Sequence, residues 1–364
     1  MVLTLVEPSP RPPPPSGAAK LTNRRLISVH GEEAPKFLQG LITNNVRSSG
    51  RAGFYTAFLT APGKVLHDVF VYPTLGSTWH TGVNKNEEQG YLVEVDAEEA
   101  EALLKHMKKH KLRSKFKLRL LEQGELDVWS AWKEDERWTA HTQGAFDNGT
   151  LGLTDCRAPG MGRRLLLPPS SQQGVMEQLE AEEAPLSAYT IRRYLRGVPE
   201  GQMEIPRDDS LPMNCNIDIM GGIDFKKGCY LGQELTIRTH HTGVVRRRML
   251  PLQLFSYDDA PPTKLEYDPE APLDEIRNGV DIRKDDTRKR STGKLVARIG
   301  NVGLGLCRLE QMTDLTISAE SSSFAPDDKF IVQSEDGKEQ RVQAFVPDWI
   351  RGRIGGPKNQ KRVG

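Results

Sequence analysis

The chain has 364 residues, 37% of them hydrophobic with 33 glycines besides, enough for a packed core and more than one domain. With 50 Lys and Arg against 49 Asp and Glu, the net charge of +1 excludes a global field that recruits nucleic acid or anionic lipid. No run approaches the ~18 apolar residues of a membrane span. Four scattered cysteines (Cys156, Cys215, Cys229 and Cys307) without a C-x-x-C pair exclude a zinc ribbon and fit a reducing compartment.

The opening MVLTLVEPSPRPPPPSGAAK has prolines at 10 and 12–15, which forbid a helix or a central strand, so residues 1–22 read as a disordered, extended leader. It lacks the Arg-rich amphipathic pattern of a transit peptide. Either the chain is cytosolic, or it begins after a presequence that has been left out. From Leu26 the text is globular. Phe37, Leu38 and Leu41 have helical spacing, and GFYTAFLTAPGKVLHDVFVYP reads as two strands joined at Pro62-Gly63.

A strand around Val93 then gives way at Asp96, which has the chemistry of an N-cap. The helix that follows has Glu98, Glu99 and Glu101 early and Lys108, Lys109 and Lys111 late, as the macrodipole favours. Phe116, Leu118 and Leu120 alternate with Lys115, Lys117 and Arg119 as in a half-buried strand. The basic run from Lys105 to Arg119 therefore reads as helix-end charge and a solvent-facing strand, offset by the nearby glutamates. It has no interleaved aromatic platforms, which argues against nucleic acid.

SSQQGVMEQLE and LSAYTIRRYLRGVP supply two more helices, the second ending at Gly197. Residues 256–292, rich in charge and proline, read as an excursion that is poorly ordered at least in part. STGKLVARIGNVGLGLCRLEQM and KFIVQSEDGKEQRVQAFVPDW then look like short barrel strands with glycine turns. The expected organisation is the leader, a first α+β domain (23–148), a second α+β domain (149–246), a C-terminal β-barrel (247–354) and a basic tail (355–364).

Lys226 to Glu234 reads KKGCYLGQE. Lys226 and Lys227 favour the thiolate form of Cys229, which attacks or binds metal. The other reading is a tight turn whose small cysteine is buried and inert. Three stretches extend the argument: FLQGLITNN (Phe37 to Asn45), AFLTAPGKVLHDVFVY (Ala57 to Tyr72) and GGIDFKKGCYLGQELTIRTHHTGVVRRRMLP (Gly221 to Pro251). Together they resemble the folate-binding YgfZ branch of the glycine-cleavage T-protein superfamily, whose signature is K-G-C-Y-x-G-Q-E. The proline-rich leader and the charged excursion point to its eukaryotic iron–sulfur assembly members, of the mitochondrial matrix.

The resemblance covers about residues 24–350. It implies an α+β, T-protein-like three-domain ring: two intertwined α+β units and a C-terminal β-barrel around a central funnel, where relatives hold tetrahydrofolate. It also implies a functional thiol at Cys229, within a motif that includes Lys226, Lys227, Gly228, Tyr230, Gly232, Gln233 and Glu234. His240 or His241 is a further candidate ligand; on a strand they would point to opposite faces, so at most one faces Cys229.

The departures from the T-protein matter as much. Its paired aspartates match His67 and Asp68 here, so one carboxylate needed for acid–base work is gone. Asp68 is left with either a turn-capping or a pocket role. The R-x-E-x-G pattern appears as Arg193-Tyr194-Leu195-Arg196-Gly197, with Leu195 where a glutamate would accept the pterin's N–H groups. His67, Asp68, Arg193 and Arg196 remain the candidate folate contacts, and Arg192, Arg193 and Arg196 otherwise form a mainly solvated helix face.

Three functions compete. The first is a late-acting assembly factor for [4Fe-4S] proteins, without turnover of its own. It would be a monomer alone and a heterodimer with an A-type iron–sulfur carrier protein, lending Cys229 to a shared [2Fe-2S] cluster. The second is a folate-dependent aminomethyl transferase, and the third a folate-linked regulator of tRNA modification that acts without gripping RNA. The resemblance puts the first reading ahead; since a cluster needs about four ligands and no local set of four is present, Cys229 would belong to a cluster whose other ligands the carrier supplies.

Overall fold

The computed structural model describes residues 9–47, 53–83, 89–134, 149–286, 290–317 and 323–354; the basic tail and the start of the leader lie outside them. Packing divides the chain into two compact units. The larger comprises Pro14–Leu186 and Pro199–Val245, and the smaller comprises Met1–Pro13, Ser187–Val198 and Arg246–Gly364.

The larger unit begins with β1 (Ser16–Lys20), β2 (Arg24–His30), α1 (Ala34–Leu41), β3 (Phe54–Leu59), β4 (Val65–Pro73), α2 (Thr78–Val83) and β5 (Gly90–Asp96). It continues through α3 (Ala100–Lys111), β6 (Lys117–Leu120), β7 (Asp127–Lys133), β8 (Leu151–Thr154), β9 (Arg163–Leu167), α4 (Gln172–Leu179) and β10 (Glu182–Glu183). Helix α5 (Leu186–Arg196) belongs mainly to the smaller unit and α6 (Gln233–Thr242) to the larger. Two five-stranded sheets result, ordered β3-β4-β5-β2-β6 and β10-β1-β7-β9-β8. The apolar stripe of α1 (Phe37, Leu38, Leu41) and that of α3 (Leu103, Met107) share one core with Ile27, Val29, Val69 and Val93 of the first sheet.

The leader departs from expectation. Its prolines end at Pro15, and the small residues after them form β1, antiparallel to β7 from Ser16↔Lys133 to Lys20↔Trp129, with Ala18 and Ala19 wholly buried. The Pro14 carbonyl accepts the Trp132 indole N–H at 2.9 Å. Asp96 does not cap α3: it ends β5, and its two carboxylate oxygens accept the Glu98 and Gln202 backbone N–H groups, both at 3.0 Å.

The smaller unit holds β11 (Arg247–Phe255), β12 (Asp281–Lys284), β13 (Ser291–Ile299), β14 (Val302–Arg308), α7 (Leu309–Met312), β15 (Phe330–Gln333), β16 (Glu339–Ala344) and α8 (Asp348–Ile354). The strands close a barrel in the order β11-β14-β13-β12-β15-β16. The excursion supplies β12, and Ile276 is buried. Asn301 ties it down, accepting the Asp268 N–H at 2.9 Å and donating to the Glu266 carbonyl at 3.0 Å. Most charges of its described part face solvent while Ile276 and Ile282 are buried, so composition concealed the structure there.

A charged core joins the two sheets of the larger unit. Glu94 on β5 is wholly buried; its Oε1 is 2.9 Å from Arg24 Nε on β2 and 2.8 Å from Arg164 Nη2 on β9. Tyr72 donates its hydroxyl to Glu94 Oε2 at 2.6 Å. Arg164 also meets Glu200 at 2.8 Å, and Glu200 meets Arg157 at 2.8 Å, which is clamped in turn by Asp155 at 2.7 Å. Phe70 lies beneath the Arg164 and Arg157 guanidinium groups, 4.1 and 4.8 Å from its ring centre. Three cations face three carboxylates with water excluded, an arrangement that tolerates no missing member.

Glu94→Ala should lower the unfolding free energy by ~3–5 kcal/mol, because Arg24 and Arg164 lose their shared buried acceptor. Arg119→Ala, at the surface Arg119–Glu125 pair, should cost under ~1 kcal/mol. Urea unfolding of both variants checks this, and equal losses would refute it.

Candidate functional site

Cys229 is exposed, whereas Cys215 and Cys307 are buried and Cys156 is half-buried. Burial pushes the Cys215 thiol up to about 12 and Cys307 higher still. The loop that presents Cys229 is fastened at several points. Leu231 N–H donates to the Gly40 carbonyl at 3.0 Å, and Asp224 N–H to Thr43 at 3.1 Å. The Lys227 ammonium donates to the carbonyls of Gln39 (2.8 Å) in the last turn of α1 and of Ile42 (2.7 Å) and Asn44 (2.9 Å) just beyond it. Burial lowers its pKa to about 8, and three carbonyls matched to three N–H donors hold the proton there. Lys227 is thus an anchor rather than a free charge beside the thiol; Lys226 is exposed.

The two motif glycines do different work. Gly232, at φ +79, caps α6, and a Cβ there would lie 2.2 Å from the Thr60 carbonyl in the β3–β4 turn. Gly63 of that turn meets the Gly232 carbonyl in the same way, at 2.9 Å. Gly228 has open space around it and no left-handed backbone, so it does not make the turn. Gln233 accepts the Tyr230 N–H through its side chain at 3.3 Å, and Glu234 is exposed in the first turn of α6. Tyr230 is buried, its hydroxyl pKa pushed up to about 12 by burial, with no hydrogen-bond partner for that hydroxyl.

His240 and His241 lie on α6, not on a strand: QELTIRTHHT has no alternation and a weak apolar stripe, so its helix left little trace. His240 stacks on Phe225 at 3.7 Å and 12°, while His241 is exposed. Among the described residues, no group of three or more His, Cys, Asp or Glu is arranged to hold a metal ion.

His67 and Asp68 on β4 are both wholly buried. Burial lowers the His67 pKa to about 3, helped by the Arg207 charge and opposed by the neighbouring Gln202 side chain. Asp68 Oδ1 accepts the Gly201 N–H at 3.0 Å while Oδ2 has no partner, and burial raises its pKa.

On α5, Arg192 and Arg193 are buried, contrary to the solvated face read from the sequence. Arg193 Nη1 donates to the Val198 carbonyl at 3.0 Å, with the guanidinium 5.3 and 5.4 Å from the Tyr189 and Tyr194 ring centres. Half-buried Arg196 donates to the Arg192 carbonyl at 3.1 Å. Leu195 packs against the cluster of Ile191, Tyr194, Met249, Ala297, Val302 and Leu304.

Sequence reasoning missed Thr60 and Gly63 beneath the motif, Gly201 and Gln202 beside Asp68, and the whole of the charged core. The one available signal was Glu94 itself, a carboxylate between Val93 and Val95 in an otherwise apolar strand.

A family profile described as CAF17, C-terminal beta-barrel domain, matches residues 246–352. A protein of Coccidioides immitis named iron-sulfur cluster assembly factor IBA57 homolog, mitochondrial, is 46% identical over 94% of this chain and 85% of its own length. Proteins of the same name from Neosartorya fischeri and Neurospora crassa are 45% and 42% identical, over 94% and 92% of this chain and 83% and 81% of theirs. The crystal structure of glycine cleavage system aminomethyltransferase T from Bartonella henselae superposes with TM-score 0.61 at 13% identity, over 95% of this chain and 89% of that one. The T-protein-like fold is therefore shared along nearly the whole length.

Gly232→Ala should cost at least ~2 kcal/mol through left-handed strain and the Thr60 clash, whereas Gly228→Ala should change stability by under ~0.5 kcal/mol. Comparable urea midpoints for the two variants would refute this reading of the loop.

The buried histidines give a pH dependence. His67 and His30 titrate at about 3 and about 4 in the folded chain against 6.5 unfolded, so the unfolded state binds more protons and stability falls as pH drops from 6.5 towards 4. Asp68 acts oppositely, its contribution falling as pH rises through its raised folded pKa. Each histidine adds up to ~1.4 kcal/mol per pH unit to the slope. His67→Gln should flatten the acid limb in urea titrations; an unchanged slope would mean that His67 is protonated in the native state.

Proposed function

The chain belongs to the family of mitochondrial iron–sulfur cluster assembly factors named IBA57, and on that premise we propose that it acts late in making [4Fe-4S] proteins of the mitochondrial matrix. In this reading it pairs with an A-type iron–sulfur carrier protein and lends Cys229 to a [2Fe-2S] cluster that is the carrier's cargo. The observation that carries it is the exposed thiol on a loop pinned to α1 and to the β3–β4 turn.

A thiolate is what iron binds, and one thiolate does not hold a cluster. With no other ligands gathered around Cys229 among the described residues, a partner must bring the rest. Lys227 keeps the loop in place, and the fixed loop presents the sulfur at low entropic cost to a docking carrier.

Aminomethyl transfer is the weaker reading. Neutral, buried His67 stands where a second carboxylate would be, and Leu195 is occupied in apolar packing. An apolar group facing the pterin's N–H donors would leave each unpaired at ~1–3 kcal/mol, so tetrahydrofolate should bind weakly, with no aminomethyl turnover.

The test joins alkylation kinetics, read by mass spectrometry, to titration with a [2Fe-2S]-loaded A-type carrier, read by visible absorption. Cys229 should react faster than Cys156, Cys215 and Cys307, and Cys229→Ser should abolish the coloured complex. If Cys229 reacts no faster and the serine variant forms the same complex, the thiol is structural and the reading fails.

A further inference from the structure

Between Lys105 and Lys117 the chain carries Lys105, Lys108, Lys109, Lys111, Arg113, Lys115 and Lys117, with no acidic residue among them. Of the glutamates expected to offset them, Glu101 lies one turn, about 6 Å along the axis, before Lys105 and forms no ion pair with it, and Glu99 pairs instead with Arg207 at 2.9 Å. Among the described residues none of the seven cations forms an ion pair, and all but Lys111 are exposed.

Ala100, Leu103 and Met107 fix the inner face of α3. Lys105, Lys108, Lys109 and Leu112 follow one another at i, i+3, i+4 and i+7 along the outer one. Leu112 ends the helix at φ 48 and ψ −119 and is 88% exposed. An apolar side chain is thus held outward by a backbone that disfavours leucine, among exposed cations that form no ion pair, with the Glu33 carboxylate accepting the Lys115 backbone N–H; such strain marks sites where something outside the fold is met.

We propose that this corner, formed by the end of α3 and the start of β6, docks on an anionic lipid bilayer. Leu112 enters the acyl boundary and the surrounding cations meet lipid phosphates. A polybasic helix with an apolar apex has the chemistry of an interfacial anchor, and each Lys or Arg near such a surface adds to binding. A nucleic acid is disfavoured because Phe116, the aromatic residue of the stretch, is buried under Lys111 and offers no stacking face. The net charge of +1 is no objection, since the field here is local.

The test is flotation of the full chain with vesicles of phosphatidylcholine alone and of phosphatidylcholine mixed with phosphatidylglycerol. The mixed vesicles should bind it, less so as salt rises, and the neutral ones should not. Lys108→Glu with Lys109→Glu should weaken binding about tenfold or more. Leu112→Gly should weaken it while raising the unfolding midpoint, because glycine accepts the left-handed backbone; a merely structural leucine would not separate the two readouts. These variants should retain the complex with a cluster-loaded carrier, so a failure here is distinct from a failure of the Cys229 reading. No binding to the mixed vesicles, binding undiminished by the charge reversals, or tighter binding to poly-glutamate than to vesicles would overturn the proposal, the last by assigning the corner to an acidic protein.

Discussion

The larger unit is organised around charge where a core is ordinarily apolar. Three arginines and three carboxylates alternate through its centre, and each depends on its neighbours because none has water to fall back on. Such a lattice adds little net stability over packed aliphatics, but it penalises every other register of the strands that carry it. Arg24 on β2, Glu94 on β5 and Arg164 on β9 must all arrive together, so the two sheets can join in one way. Asp68, Tyr72 and Phe70 on β4 take their surroundings from the same centre, which is why Asp68 is held dry with a raised pKa.

That constraint bears on function through rigidity. The strand holding His67 and Asp68 also forms one arm of the hairpin whose turn supports α6. In the proposed function, a loop that offers its sulfur to a carrier gains from standing on a scaffold with one arrangement, because less ordering is left for the encounter.

Local pattern made much of this legible. Alternation marked the β3–β4 hairpin, helical spacing marked α1 and α3, and Gly197, at φ +70, ended α5 where the text put it. Tertiary context decided the rest. A charged residue in a strand reads as a solvent face unless the partner from another sheet is known, so Arg24 and Arg164 gave no warning and Glu94, between two valines, gave only a local one. Arg192 and Arg193 misled for the same reason. The described part of the excursion misled through composition, because it is held by long-range hydrogen bonds with Asn301, Arg298 and Gln340 and by the pairing of β12. Prolines up to Pro15 hid a strand that starts one residue later. The thiol motif was legible as a motif, but the separate duties of its glycines and of Lys227 were not, since both depend on what lies beneath.

Gly232 and Gly63 meet backbone to backbone, with no layer of side chains between them to yield. A joint of that kind behaves as a rigid link. Neither glycine has a flexible side chain to absorb a displacement, so the thiol loop and the β3–β4 turn must shift together if either is moved.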